Sequence, residues 1–260
     1  MSERDEMVAR LSQAMDDGEF QMFFQPQYDA RSGQPIAVES LLRWRHPEKG
    51  LVAPVVFLAI CEASGLILPL GRWMLSQACT YYTRLSDAGW PNISISVNIS
   101  QAQFEDDDLV DFLQRILEDE LAPPPHALEL EVQESLVMKD PARSMRILSA
   151  IRSLGVRVAL DNFGTGYASM ATMQRMPADK IKLDRSLVQN VDKDENNAAI
   201  CRSILSLAHG FKLPVIAEGV ERAEQYEWLR LQGFDGVQGY LFARPAPFDD
   251  MLRGLGTLPA

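Results

Sequence analysis

Residues 128–161 read LELEVQESLVMKDPARSMRILSAIRSLGVRVALD. The stretch opens on Leu128–Val132, a short apolar run carrying two glutamates, and closes on the β-branched run Val156–Asp161. Between them, Asp140-Pro141 has the form of an N-cap followed by proline at the first helical position. Ile147, Leu148, Ile151 and Leu154 then recur at helical spacing, and Gly155 stops the helix. Strand, helix and strand in immediate succession is the unit from which parallel sheets are built.

The same alternation extends both ways along the chain. Further strands are expected near Met22–Tyr28, Ile36–Leu42, Ile93–Asn98, Lys180–Leu183, Val215–Ala217 and Gly236–Gln238. Leu109, Leu113, Ile116 and Leu117 keep helical spacing, as do the stretches Asn196–Phe211 and Glu221–Leu231, with Gly210 and Gly233 as their C-terminal breaks. Eight strands alternating with helices predict an α/β fold, a TIM-type (β/α)8 barrel formed by residues 1–260 as a single domain. The competing doubly wound sheet calls for a Gly-rich phosphate loop after the first strand. That strand instead runs into Gln25-Pro26-Gln27-Tyr28.

Composition narrows the function. Among 260 residues, 36 acidic side chains face 25 basic ones, a net charge of −11, which argues against a DNA or RNA polymer as partner. No apolar run reaches the roughly 18 residues of a membrane span, and Met1–Arg10 is too charged to be expected to act as a secretory signal. Three scattered cysteines form neither a disulfide framework nor a zinc pattern, which fits a cytoplasmic location. With only three histidines, a metal site would have to use carboxylates and amides, ligands suited to magnesium, calcium or manganese.

Seven polar residues stand out of place at or near the C-terminal ends of successive strands: Glu39, Asn98, Glu131, Asp161, Lys182, Glu218 and Gln238. In a barrel those ends converge on the face where active sites sit. Four carboxylates gathered there would repel one another, and hard divalent cations would relieve the repulsion. The residues alone therefore predict a metal-dependent site in a barrel mouth, acting on an anionic substrate.

The ordered pieces Glu39-Ser40-Leu41-Leu42-Arg43-Trp44, Val97-Asn98-Ile99-Ser100, Glu129 to Ser135, Asp161 to Gly166, Lys182-Leu183-Asp184, Glu218-Gly219-Val220-Glu221 and Gln238-Gly239-Tyr240 resemble the motifs of the EAL domain, a family of cyclic di-GMP phosphodiesterases. The resemblance implies a modified barrel whose first strand is antiparallel, and hydrolysis of cyclic di-GMP to linear pGpG with two Mg2+ or Mn2+ ions, Ca2+ being inhibitory. By the same resemblance Glu39, Asn98, Glu131 and Asp161 are ligands of one metal. Asp161 bridges to a second, which Asn162 and Glu218 help to hold, with Lys182 and Glu218 in catalytic roles. Arg43 is the phosphate-binding arginine, Gln25 and Gln238 line the substrate cleft, Asp235 contacts guanine, and Glu134 anchors the loop Phe163–Ser169. A homodimer is implied too, as is a longer multidomain protein with a sensor or GGDEF module beyond this segment.

Three positions depart from the family pattern. Ser40 replaces alanine and should point away from Glu39. Gln133 replaces threonine beside Glu134, where it could alter the loop anchor. Asn162 stands where the family has a second aspartate, removing one negative charge from the second metal site. That substitution leaves an alternative open, a weakened domain that binds cyclic di-GMP as a receptor. Met170, Met173 and Met176 read as core filler or as part of a dimer contact.

Overall fold

Asp29 reverses the chain at the end of the first strand. Its Oδ1 accepts the backbone N–H groups of Arg31 and Ser32 and the Ser32 hydroxyl, and Gly33 takes a positive φ of 68°. The result is a hairpin of β1 (Phe20–Asp29) and β2 (Pro35–His46), antiparallel from Phe20 opposite Trp44 to Tyr28 opposite Pro35. A connection this short cannot carry a parallel crossover. The computed structural model describes residues 3–119, 122–165 and 170–256.

After a short return strand β3 (Gly50–Val52), every barrel strand is parallel to β2. They are β4 (Ser94–Ile99), β5 (Leu128–Gln133), β6 (Arg157–Phe163), β7 (Lys180–Leu183), β8 (Val215–Ala217) and β9 (Gly236–Val237). β9 closes the barrel against β1, Tyr28 facing Val237, again antiparallel. β10 (Ala246–Pro247) pairs with Phe23 and Phe24, further along the edge of β1 that β9 meets. The architecture is thus the expected eight-stranded barrel, with β1 antiparallel to both neighbours.

The helices follow their local signals. Asp140 Oδ1 accepts the Arg143 N–H at 3.0 Å and Pro141 opens the helix Pro141–Ser153, which buries Leu148 and Ile151. Helix Glu195–Gly210 starts one residue before its expected first residue and is capped by Asp194. Its left-handed residue is Lys212, φ 62°, rather than Gly210. Helix Ala223–Gln232 does end on a left-handed glycine, Gly233. No single described helix is long and apolar enough to cross a membrane. The bent pair Leu58–Ser64 and Ile67–Asp87 passes jointly by length and composition, but its longer member packs on the barrel through buried Leu70, Met74, Leu75 and Ala78.

Strand alternation divides the core in two. Val38, Val97, Leu130, Val158, Leu160 and Ile181 are buried in the apolar core beneath the helices, joined by Met173 and Met176. That settles those two methionines as core; the side chain of Met170 lies outside the described residues. The barrel interior is polar instead: Gln27, Ser94, Ser96, Glu129, Glu131 and Lys182 are all buried. Barrels of this kind usually fill that space with branched apolar side chains.

Candidate active site

Six strands deliver one side chain each to the mouth. Lys182, fully buried on β7, occupies the centre: its Nζ lies 2.6 Å from Glu218 Oε1, 2.7 Å from Glu131 Oε2, 3.3 Å from Glu39 Oε2 and 3.8 Å from Asp161 Oδ1. Asn98 donates to Glu39 Oε1 at 2.8 Å, and Gln238 donates to Glu39 Oε2 at 2.6 Å and to Gln25 Oε1 at 3.1 Å. Seven residues read as a convergent set are therefore brought together, with Gln25 from β1. Their places on the strands differ from the expectation in two ways. Glu39 sits mid-strand, because β2 continues to His46 while paired with β1. Gln238, expected inside its strand, lies one residue beyond β9, while Glu218 follows β8 as expected.

One ammonium faces four carboxylates, and the titration behaviour follows. Burial raises Glu218, Lys182 opposes it, Asp161 and Glu39 add repulsion, and the pKa comes to about 7. Burial likewise raises Asp161, and it lifts Glu131 well above the carboxylate range with Glu39 repelling it further. Glu39 goes down: its burial is outweighed by Lys182 and by the hydrogen bonds from Gln238 and Asn98. Lys182 is raised well above its ordinary value, the carboxylates overcoming its burial. The pocket is short of positive charge.

The donors at the mouth are all hard oxygens, and Asp161 Oδ1, buried, has no hydrogen-bond partner. That donor chemistry fits a hard divalent cation. Among the described residues no three His, Cys, Asp or Glu side chains are grouped so as to hold a metal ion, and the Lys182 ammonium lies between Glu131 and Glu218.

A bulge shapes the backbone around Asn162. The β6–β7 register shifts between Leu160 and Phe163, and Asn162 takes a left-handed φ of 52°, a conformation that asparagine tolerates better than most residues. Glu134, buried at the start of helix Glu134–Lys139, accepts the Gly164 N–H at 3.0 Å and so holds the start of the loop that follows. Residues 166–169 of that loop lie outside the described residues. Gln133 is exposed and leaves this anchor intact. Ser40 turns away from Glu39 as expected, and its hydroxyl donates to the Ser96 carbonyl at 2.7 Å.

A cleft of about 220 Å³ opens on these groups, lined by Gln25, Glu39, Leu41, Asp161, Arg185, Glu218 and Tyr240 among others. Arg185 and Tyr240 are cleft residues that the sequence reading missed; an arginine two positions after a barrel strand was the available signal for the first. Gly219 and Gly239 permit the tight loops here. A Cβ on Gly219 would stand 2.5 Å from Arg185 Cβ, and one on Gly239 2.1 Å from the Val220 carbonyl oxygen. Arg43 is half-buried, its guanidinium 5.6 Å over the Phe23 ring and within electrostatic reach of Glu39 and Tyr240. A larger groove of about 500 Å³, lined by Ser76, Cys79, Arg84 and Ile116, brings no such set of acids together.

Asp235 does not belong to the site. It precedes β9, so it lies at the opposite end of the barrel, where its Oδ2 accepts the Val215 N–H and meets His209 Nε2, each at 2.8 Å. A guanine contact from there is excluded by the direction of the strand.

The EAL domain profile matches residues 8–245. The chain is 37% identical over 253 residues, 97% of its length, to the bifunctional diguanylate cyclase/cyclic di-GMP phosphodiesterase MucR of Pseudomonas aeruginosa, and covers 37% of that protein. It is 35% identical over 240 residues, 91% of its length, to the cyclic di-GMP phosphodiesterase PdeR of Escherichia coli, and again covers 35% of the relative. The chain thus spans about a third of the length of these curated relatives. The solved PaMucR phosphodiesterase in complex with c-di-GMP superimposes with a TM-score of 0.91 at 37% identity, over 95% of this chain and 99% of that one. An EAL domain protein from Listeria monocytogenes gives 0.81 at 28% identity, over 95% and 96% of the two chains. With the barrel, the mouth carboxylates and these relatives in agreement, the chain belongs to the EAL domain family.

Proposed function

We propose that this domain hydrolyses cyclic di-GMP to linear pGpG in a reaction dependent on divalent cations. The observation that carries the reading is the convergence of Glu39, Glu131, Asp161 and Glu218 on one buried centre beneath an open cleft. Glu39, Asn98, Glu131 and Asp161 would hold one Mg2+ or Mn2+, and Asp161, Asn162 and Glu218 a second. Such ions supply Lewis-acid charge at the phosphodiester and ease ionisation of the attacking water. The chain's own groups do the rest. Arg43 and Arg185 offer guanidinium donors to phosphate oxygens, and Gln25 and Gln238 present amides along the cleft. Lys182 places a fixed positive charge beside the reacting centre. Glu218, pushed up to about 7 in the metal-free site, would be held ionised beside the reacting centre by the cation it ligates. A homodimer and an adjoining sensor or GGDEF module belong to the same proposal.

A receptor reading has its own support. Asn162 removes a negative charge from the second-ion position, and the Lys182 ammonium already neutralises part of the first. Incubation with cyclic di-GMP and Mg2+, Mn2+, Ca2+ or excess chelator, followed by chromatography of the nucleotides, separates the two. Formation of pGpG with Mg2+ or Mn2+ alone supports the enzyme, and tight binding without turnover in every metal supports the receptor. Full activity in excess chelator would remove the cation-dependent mechanism.

A further inference from the structure

Beneath the mouth carboxylates the barrel holds a second polar tier. Glu129 and Lys180 lie two residues before Glu131 and Lys182 on the same strands, so the pleat aims all four inward. Lys180 Nζ is 2.9 Å from Glu129 Oε1 and donates to Gln27 Oε1 at 3.2 Å. Gln27 has no exposed surface, and its Nε2 donates to Glu131 Oε1 at 3.5 Å. The other oxygen of Glu131 accepts from Lys182 at 2.7 Å.

The polarity of this chain leaves the amide one orientation. An ammonium only donates, so Lys180 takes the carbonyl end of Gln27 and leaves the NH2 end for the Glu131 carboxylate. Rotating the amide would break both contacts inside a low-dielectric interior. Packing does not require such a group, because branched apolar side chains ordinarily fill this layer.

We propose that Gln27 is a positioning residue: held by the Lys180–Glu129 pair, it fixes the Glu131 carboxylate in the orientation that a cation ligand needs. The proposal rests on the reading of the mouth as a divalent-cation site. Groups that orient a metal-binding carboxylate from behind typically change metal affinity or activity by about 10–100-fold when removed.

The test is Gln27→Met, which keeps the length of the side chain and leaves Lys180 with Glu129 and Glu131 with Lys182, so no lone charge is created. Calorimetric titration of the whole chain with Mn2+ alone should show a dissociation constant raised about tenfold. Turnover at low Mn2+ should fall and recover when Mn2+ is raised, with KM for cyclic di-GMP unchanged. Gln27→Asn, a methylene too short to span both partners, should show the same loss. A Mn2+ isotherm that superimposes on the parent's overturns the proposal, also where Tm falls, because the residue then serves packing alone. A parent that takes up no Mn2+ overturns the cation-site reading and the proposal with it. Normal binding by the parent with unmoved variants overturns the role of Gln27 alone.

Discussion

Lys182 Nζ lies 2.7 Å from Glu131 Oε2, and neither side chain has any solvent exposure. The ammonium is the counter-cation of the metal-free site. It also faces Glu39, whose carboxyl is held low, so removing the ammonium leaves a buried carboxylate without its counter-charge, at a cost of about 3–5 kcal/mol. Lys182→Met should therefore lower Tm in chelator at neutral pH, and less so in acid, where the carboxylates protonate. Mn2+ should restore stability, because it neutralises the same carboxylates, while pGpG formation stays lost. Thermal melts with and without Mn2+, beside a turnover assay, check this; normal turnover by the variant would show that Lys182 has no part in the reaction.

Glu218 gives the metal-free protein a pH dependence of known sign. Its ordinary value is 4.5 and its folded value about 7, so between those limits the folded protein holds a proton that the unfolded chain has released. Its contribution to stability is full below 4.5 and is lost as pH rises through about 7. In chelator, the difference in Tm between Glu218→Gln and the parent should shift in favour of the variant as pH rises across this window. A difference that does not change with pH contradicts the assignment.

Asn162→Asp should tighten the second ion. The left-handed backbone at this position accepts aspartate as it accepts asparagine. A carboxylate binds a dication more strongly than a neutral amide oxygen does. The variant should reach its maximum rate at a lower Mg2+ or Mn2+ concentration than the parent. A parent inactive at every concentration, with the variant active, would make the natural protein a receptor. Superimposable metal titrations would show that residue 162 does not touch the second ion.

Arg43→Ala should weaken cyclic di-GMP binding without changing Mn2+ affinity. Its guanidinium rests over Phe23 and donates to the Leu42 carbonyl at 2.8 Å, which leaves other N–H donors free for phosphate. Calorimetry with cyclic di-GMP in Ca2+, where turnover is expected to be blocked, measures the change. An unaltered dissociation constant would contradict the role.

Much of the barrel was legible because its signals are local. Asp140-Pro141 and Gly155 bound one helix through capping and left-handed backbone that need no distant partner. The antiparallel first strand was legible only through resemblance, although the short connection from Asp29 to Pro35 already leaves no room for a crossover helix. Asp235 misled because a match in sequence order does not say at which end of a strand a residue falls. One position before β9 is the far end of the barrel.

By itself the sequence determined the order of strands and helices, the alternation that puts an acid, an amide or a lysine at the mouth end of each barrel strand, and the family. Those properties follow from periodicity along one segment at a time. Only the tertiary structure decided that Lys182 stands among four carboxylates, that Glu218 titrates near 7, and that Gln27 reaches Glu131 from a strand more than a hundred residues away. Each of these depends on distances between strands remote in the chain and on the water excluded when the barrel closes, and neither quantity exists until the fold has formed.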